Sequence, residues 1–259
     1  MFIDSHCHLT HARLRGRLAE VLSRAAEAGV DRMICPGSDV ADSAAAAEIA
    51  QQCGNVFFAA GIQPGGAGSV GADYLTRLEE LAGREKNVAL GEIGLDYHYD
   101  FSPRDAQRRV FAEQLALAKR LGKPVIVHTR EALEDTLAVL KASLFDAALA
   151  VFHSFTGDAA QVRRVLETGA CVSYSGIATF RHAEGIRAGV RLVPEDRLML
   201  ETDAPYLSPE PVRGMKTNEP ANVVHVAACL AAVRGLSPER LGELTRANAA
   251  RFFRLDRAT

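Results

Sequence analysis

Apolar residues fall into short runs, at positions 2–4, 31–35, 56–61, 88–92, 125–128, 149–153, 170–174 and 198–202. Within each run successive residues, not alternate ones, are apolar or β-branched. Strands buried on both faces read this way, as parallel strands between helices do. Between the runs the apolar positions move to helical spacing, as at Phe111, Leu115, Ala118 and Leu121. Punctuation agrees: Ser102 as N-cap, Pro103 in the first turn, Asp105 at the third position and Gly122 as the stop predict a helix between them. Asp158 with Gln161 predicts a capping box ahead of Val162, Val165 and Leu166, closed by Gly169, and Pro220 and Ser237-Pro238 open two further helices.

Eight strands alternating with helices in 259 residues fit a (β/α)8 TIM barrel, whose usual size is about 250 residues. A doubly wound open sheet shares the alternation, but the strand count favours the barrel. No Pro/Ser-rich linker or charge block divides the chain, so a single domain over residues 1–259 is expected. The hydrophobic fraction of 48% is ample for a core. No apolar run approaches the roughly 20 residues of a membrane span, and the N-terminus lacks a signal-peptide pattern. A cytoplasmic chain without a membrane partner is therefore expected. Cys7, Cys35, Cys53, Cys171 and Cys229 are widely spaced and form no CxxC pair, which suits reduced, buried thiols. Net charge is −2, whereas tight grip on duplex phosphates usually needs a basic surplus. Any nucleic-acid partner is then held locally, at a strand end or through metals.

Side chains of metal-ligand type gather at the ends of the apolar runs. His6 and His8 are two apart after the first, so alternation turns both imidazoles to one side and Cys7 to the other. Glu92 closes the fourth run, His128 the fifth, His153 the sixth, and Asp203 follows the eighth. A barrel brings these positions to its C-terminal mouth, where barrel active sites lie. One histidine at a strand end is commonly a hydrogen-bonded core residue. Five such strand ends call for a cation, because burying that many polar groups without one is costly.

The blocks Asp4-Ser5-His6-Cys7-His8, Gly91-Glu92-Ile93-Gly94-Leu95-Asp96-Tyr97, Val127-His128-Thr129-Arg130, His153-Ser154-Phe155-Thr156-Gly157 and Glu201-Thr202-Asp203-Ala204-Pro205-Tyr206-Leu207 resemble, in order and over nearly the whole chain, the TatD family of metal-dependent deoxyribonucleases. The resemblance implies an amidohydrolase-like barrel with two divalent ions, Zn, Mn or Mg. His6, His8, Glu92 and Asp203 would hold one, and Glu92, His128 and His153 the other, with Glu92 bridging. It further implies phosphodiester hydrolysis of the 3′–5′ exonuclease type on DNA, single-stranded or at strand ends. Two ions can clamp a phosphate and acidify a shared water. Asp203 is the expected general base, with Glu92 the second catalytic carboxylate. The protein is expected to act as a monomer or weak oligomer.

One block departs from the family. Where the family has Gly-x-His-Pro, this chain has Gly61-Ile62-Gln63-Pro64. Gln63 is expected to contact substrate, but an amide neither carries charge nor delivers a proton efficiently. That keeps open a second reading, hydrolysis of a small-molecule ester, lactone or amide by the same metal chemistry. A metal-binding protein without catalysis is a third reading. Arg130, Lys216 and Asn218 are candidate substrate contacts, the last two in a block that resembles the family's Arg-Asn-Glu-Pro with its charge displaced. Tyr97, His98 and Tyr99 are placed either to stack on a base or to pack the rim. Gly66-Ala67-Gly68-Ser69-Val70-Gly71 matches a dinucleotide fingerprint, but Pro64 and its extra glycines predict a loose rim loop instead.

Overall fold

A computed structural model describes residues 1–257. Strands Phe2–Asp4 (β1), Val30–Pro36 (β2), Val56–Ala60 (β3), Asn87–Asp96 (β4), Val125–Arg130 (β5), Ala150–Phe152 (β6), Cys171–Tyr174 (β7) and Leu198–Leu200 (β8) pair in sequence order, every pair parallel. The helices are Ala12–Arg15 (α1), Leu18–Glu27 (α2), Val40–Gln52 (α3), Tyr74–Ala82 (α4) and Arg104–Leu121 (α5), followed by Leu133–Ala142 (α6), Ala159–Glu167 (α7), Glu184–Val190 (α8), Val223–Arg234 (α9) and Pro238–Phe252 (α10). This is the expected (β/α)8 barrel, and each apolar run overlaps one of its strands. No single helix among the described residues is long and apolar enough to cross a membrane.

The seam between β1 and β8 closes at the end of β8 and beyond the end of β1. Ser5 N–H donates to the Leu200 carbonyl (3.0 Å), Asp203 N–H to His6 (2.9 Å) and His8 N–H to Ala204 (2.7 Å). Closing the barrel therefore interleaves His6 and His8 with Asp203. Buried Asp4 reinforces the seam by accepting from the Thr202 N–H (2.9 Å) and hydroxyl (2.5 Å). Burial pushes its carboxyl up to about 7.

Two apolar layers result from the alternation of each strand. Val127, Phe152, Val172 and Leu200 face the helices, whereas Ile3, Ile34, Phe57, Ile126, Val151 and Met199 fill the barrel interior. Ala249, Ala250, Phe253 and Leu255, at and just beyond the end of α10, plug that interior from below. Interior residues of this size contribute about 1.5–3 kcal/mol each by burial. The next inward positions up the same strands are His128 after Ile126, His153 after Val151, and Glu201 after Met199. The polar site thus stands directly on the barrel's apolar floor.

Local signals performed unevenly. The Asp158–Gln161 capping box forms as expected, Ser237 caps α10, and Gly122 ends α5 in the left-handed region at φ 62°. Ser102 does not cap α5. Pro103 takes that position with no side-chain bond, because the Ser102 hydroxyl donates to the Gly65 carbonyl (2.7 Å) and accepts from Gly68 N–H (2.8 Å). Those two bonds also correct the loop expectation, since Pro64–Ser69 is a 3-10 helix.

Candidate metal centre

Glu92 is placed by an irregularity in β4, where the pairing with β5 shifts register between Leu90 and Ile93. Such bulges re-aim a side chain, and this one turns Glu92 into the mouth. Two glycines allow the close approach. A Cβ on Gly91 would meet Ile126 at 2.7 Å, and one on Gly94, at φ 138°, would meet the His128 carbonyl oxygen at 2.0 Å.

The two Glu92 oxygens serve different sets of histidines. Oε2 lies 3.5 Å from His6 Nε2 and 3.8 Å from His8 Nε2, while Oε1 lies 2.8 Å from His128 Nδ1 and 3.0 Å from His153 Nε2. Asp203 Oδ1 joins the first set, 3.5 Å from His8 Nε2 and 3.8 Å from His6 Nε2. Imidazole nitrogens also face each other, His6 with His8 at 3.2 Å and His128 with His153 at 3.1 Å. The donor atoms of His6, His8 and Asp203 lie within 4.8 Å of one another, as do those of Glu92, His128 and His153. Asp203 holds its position at φ 54°, a left-handed conformation that Asp tolerates better than most residues.

Electrostatics bind the cluster into one unit. Burial pushes the Glu92 carboxyl up, but the charge on His153 and hydrogen bonds from His128, His153 and His6 outweigh it and hold the group well below its ordinary value. Burial likewise opposes ionisation of Asp203, yet the His8 hydrogen bond and the charges of His6 and His153 leave it lowered. His153 is raised well above its ordinary value against its own burial, chiefly by Glu92 and Glu201. His6 is lowered by burial and by the charge of His153. Among the described residues no lysine or arginine pairs with Glu92, Asp203 or Glu201; their partners are histidines. Among the described residues His6 Nδ1 and Glu201 Oε2 are buried without a hydrogen-bond partner. Buried carboxylates with nitrogen donors and no fixed cation have the chemistry of a divalent-metal site.

Two positioning carboxylates lie behind the histidines, where the sequence reading assigned no role. Asp96 Oδ2 is 3.0 Å from His128 Nε2, and Glu201 Oε1 is 3.3 Å from His153 Nδ1. Each leaves the other ring nitrogen facing Glu92, the arrangement that orients metal-binding imidazoles. Strand alternation signals both, since Asp96 follows Glu92 by four residues and Glu201 precedes Asp203 by two. Gln107 and Gln114 carried no such signal. From α5, Gln107 brackets the Asp96 backbone (2.9 and 3.1 Å) and Gln114 brackets that of Ile62 (2.7 and 3.1 Å).

Of the expected substrate contacts, Gln63 and Arg130 line the cavity above the cluster, which has a volume of about 480 Å³. Asn218 does not. It is fully buried, donates to the carbonyls of Thr202 (3.0 Å) and Tyr206 (2.7 Å), and accepts from Glu219 N–H and the Asn222 amide, both at 2.9 Å. Its amide is committed to holding the segment after β8. Lys216 is exposed and is not part of the cavity lining. Of the three rim aromatics only Tyr99 faces the cavity. The Tyr97 hydroxyl donates to Asp135 (2.6 Å), and His98 pairs with Glu131 (2.7 Å).

A parallel barrel with this cluster at its mouth has the form of a metal-dependent hydrolase. Within that class the family described as TatD related DNase matches residues 3–254. The chain is 38% identical to an uncharacterized metal-dependent hydrolase, YabD, of Bacillus subtilis, over 99% of this chain and 100% of that one. It is 36% identical to the 3′-5′ ssDNA/RNA exonuclease TatD of Dickeya dadantii, over 97% of each. Its fold superposes on the crystal structure of YJJV, a TatD homolog from Escherichia coli, with a TM-score of 0.91 and 30% identity, covering 98% of both chains. The chain belongs to the TatD family of metal-dependent hydrolases.

Proposed function

We propose that the protein is a metal-dependent deoxyribonuclease that removes nucleotides from single-stranded DNA or from strand ends, with 3′–5′ polarity. The observation that carries this reading is the division of the Glu92 oxygens between two sets of donors. On this reading His6, His8, Glu92 and Asp203 hold one divalent ion and Glu92, His128 and His153 the other. The nitrogen-rich set suits Zn or Mn better than Mg. When bound, such a pair of ions neutralises phosphate charge and lowers the pKa of water.

The remaining work falls to the chain. The histidine neighbours by themselves lower the Asp203 carboxyl against its burial; as a carboxylate it is able to accept a proton from the attacking water. Asp96 and Glu201 keep the His128 and His153 rings in place. Gln63 offers the substrate an amide hydrogen bond, and Arg130 offers a guanidinium suited to phosphate. A net charge of −2 agrees with grip confined to the mouth. The named activity of the Dickeya relative supplies the polarity of the proposal.

The test is hydrolysis of a 5′-labelled single-stranded oligodeoxynucleotide by chelated protein reloaded with Mn, Zn or Mg. Stepwise 3′ shortening is expected, depending on metal and falling by about 10²–10⁴-fold in Asp203→Asn. A metal-loaded protein that leaves the strand intact while turning over esters or lactones would overturn the nuclease reading.

A further inference from the structure

Six large apolar side chains are strongly exposed among the described residues, and three of them line the cavity above the metal cluster: Tyr99 at 55%, Phe101 at 76% and Tyr206 at 45%. Such a concentration of bare rings beside a polar floor marks a binding surface. Tyr99 and Phe101 lie nearly parallel, with centroids 5.2 Å apart and planes 8° from each other. The Arg130 guanidinium stacks on Tyr99, 4.6 Å from the ring centre. Tyr206 stands by the first histidine set, edge-to-face with His8 at 6.0 Å.

The shelf is exposed but anchored. Asp96 Oδ1 accepts the N–H groups of His98 (3.0 Å) and Tyr99 (2.9 Å), while its other oxygen orients His128. On the far side of Phe101, the Ser102 hydroxyl is tied to Gly65 and Gly68. Gly65 lies beside the Phe101 ring, whose Cδ2 would stand in ordinary contact, at 3.5 Å, with a Cβ placed there. The segment is thus held at both ends while its rings stay bare, and one carboxylate serves both the shelf and the metal cluster.

We propose that Tyr99, Phe101 and Arg130 form a stacking subsite for the nucleobase at the end of a single strand, and that this subsite makes the enzyme select unpaired ends. The identity of the ligand rests on the nuclease reading. A cavity of about 480 Å³ lies in the lower part of the range of about 300–1,000 Å³ for small-ligand pockets, a size for one nucleotide and not a double helix. Aromatic rings with an arginine are the usual platform for unpaired bases, and they tolerate sequence because every base has a π face. A base within a duplex end is already stacked and paired, and must come out of the helix to use the shelf.

The chain has no tryptophan, so Phe101→Trp introduces a single indole at the shelf. Mn-reloaded protein is titrated with short 5′-labelled strands protected by 3′-terminal phosphorothioate links, and binding is read by anisotropy and indole quenching. One strand ends in thymidine, a second ends in an abasic residue, and a third is a blunt hairpin. The thymidine end is expected to quench the indole and to bind wild type and Phe101→Trp about fivefold or more tighter than the abasic end. Phe101→Ala, a change at an exposed position, is expected to erase that preference. Equal binding of the thymidine and abasic ends by wild type overturns the subsite, as does a preference that survives in Phe101→Ala. Because the readout is binding, a protein that prefers the base-bearing end yet leaves the same strand uncut when the phosphorothioate links are omitted refutes the nuclease reading and leaves the subsite standing.

Discussion

Asp96→Asn changes one atom and separates the two halves of the metal site. In the native chain Asp96 accepts at both oxygens, Oδ1 from two backbone N–H groups and Oδ2 from His128 Nε2. A carboxylate is an acceptor only, so it fixes the proton of a neutral His128 on Nε2 and leaves the Nδ1 lone pair facing Glu92 and His153. In the variant the amide oxygen is needed at the Oδ1 position by two donors, which forces the NH2 group opposite Nε2. Two donors then confront each other, and His128 relieves this by moving its proton to Nδ1 or by rotating. Either response withdraws one donor from the Glu92–His128–His153 set. The lost charge-assisted bond is worth about 1.5–3 kcal/mol, which corresponds to about 10–100-fold weaker binding of one ion. Binding of the other ion, beside His6, His8 and Asp203, stays close to native. Chelator competition followed by calorimetry resolves the two sites, and circular dichroism of the chelated protein is expected to be unchanged. Native affinity at both sites would falsify the argument, as would equal loss at both.

The contrast with Glu201 is itself testable. Its Oε2 has no partner among the described residues, so in Glu201→Gln the amide is free to turn its oxygen toward His153, and metal affinity is expected to fall by less than in Asp96→Asn. Chelation should lower the melting temperature: a ligand at a hundredfold excess over its Kd stabilises by about 2.7 kcal/mol, or about 5–10 °C for a chain of this size. Scanning calorimetry with and without added Mn reads that shift, and none is expected in a variant lacking both His6 and His128. Asn218→Ala strips partners from the buried Thr202 carbonyl, the part-buried Tyr206 carbonyl and Asn222, and a urea titration is expected to show a loss of about 1–3 kcal/mol. Phe57→Ala empties part of the barrel floor and is expected to cost about 3–5 kcal/mol by the same titration.

The histidines legible in the sequence share one physical property, which is that strand alternation decides where they point. His128 and His153 are the next inward positions after Ile126 and Val151, so a run of apolar residues ending in a ligand-type side chain carries its own orientation. His6 and His8 were legible by the same rule, although the bonds that set them against Asp203 form only when the barrel closes. What resisted reading depends on competition for one hydrogen-bonding group. Ser102 has the residue type of an N-cap, but two backbone groups of the 64–69 turn claim its hydroxyl. Asn218 has the type of a substrate ligand, but four partners within the wall claim its amide. Gln63 shows the opposite case. Its backbone N–H is tied to the Ser38 carbonyl at 2.9 Å and its neighbour Ile62 is clamped by Gln114, so a rigid exit presents its side chain to the cavity. A carboxamide held there is too weak an acid to deliver a proton to a leaving oxygen. In the proposed nuclease that task falls to water, and Gln63→His is expected to raise the rate on DNA without changing metal affinity.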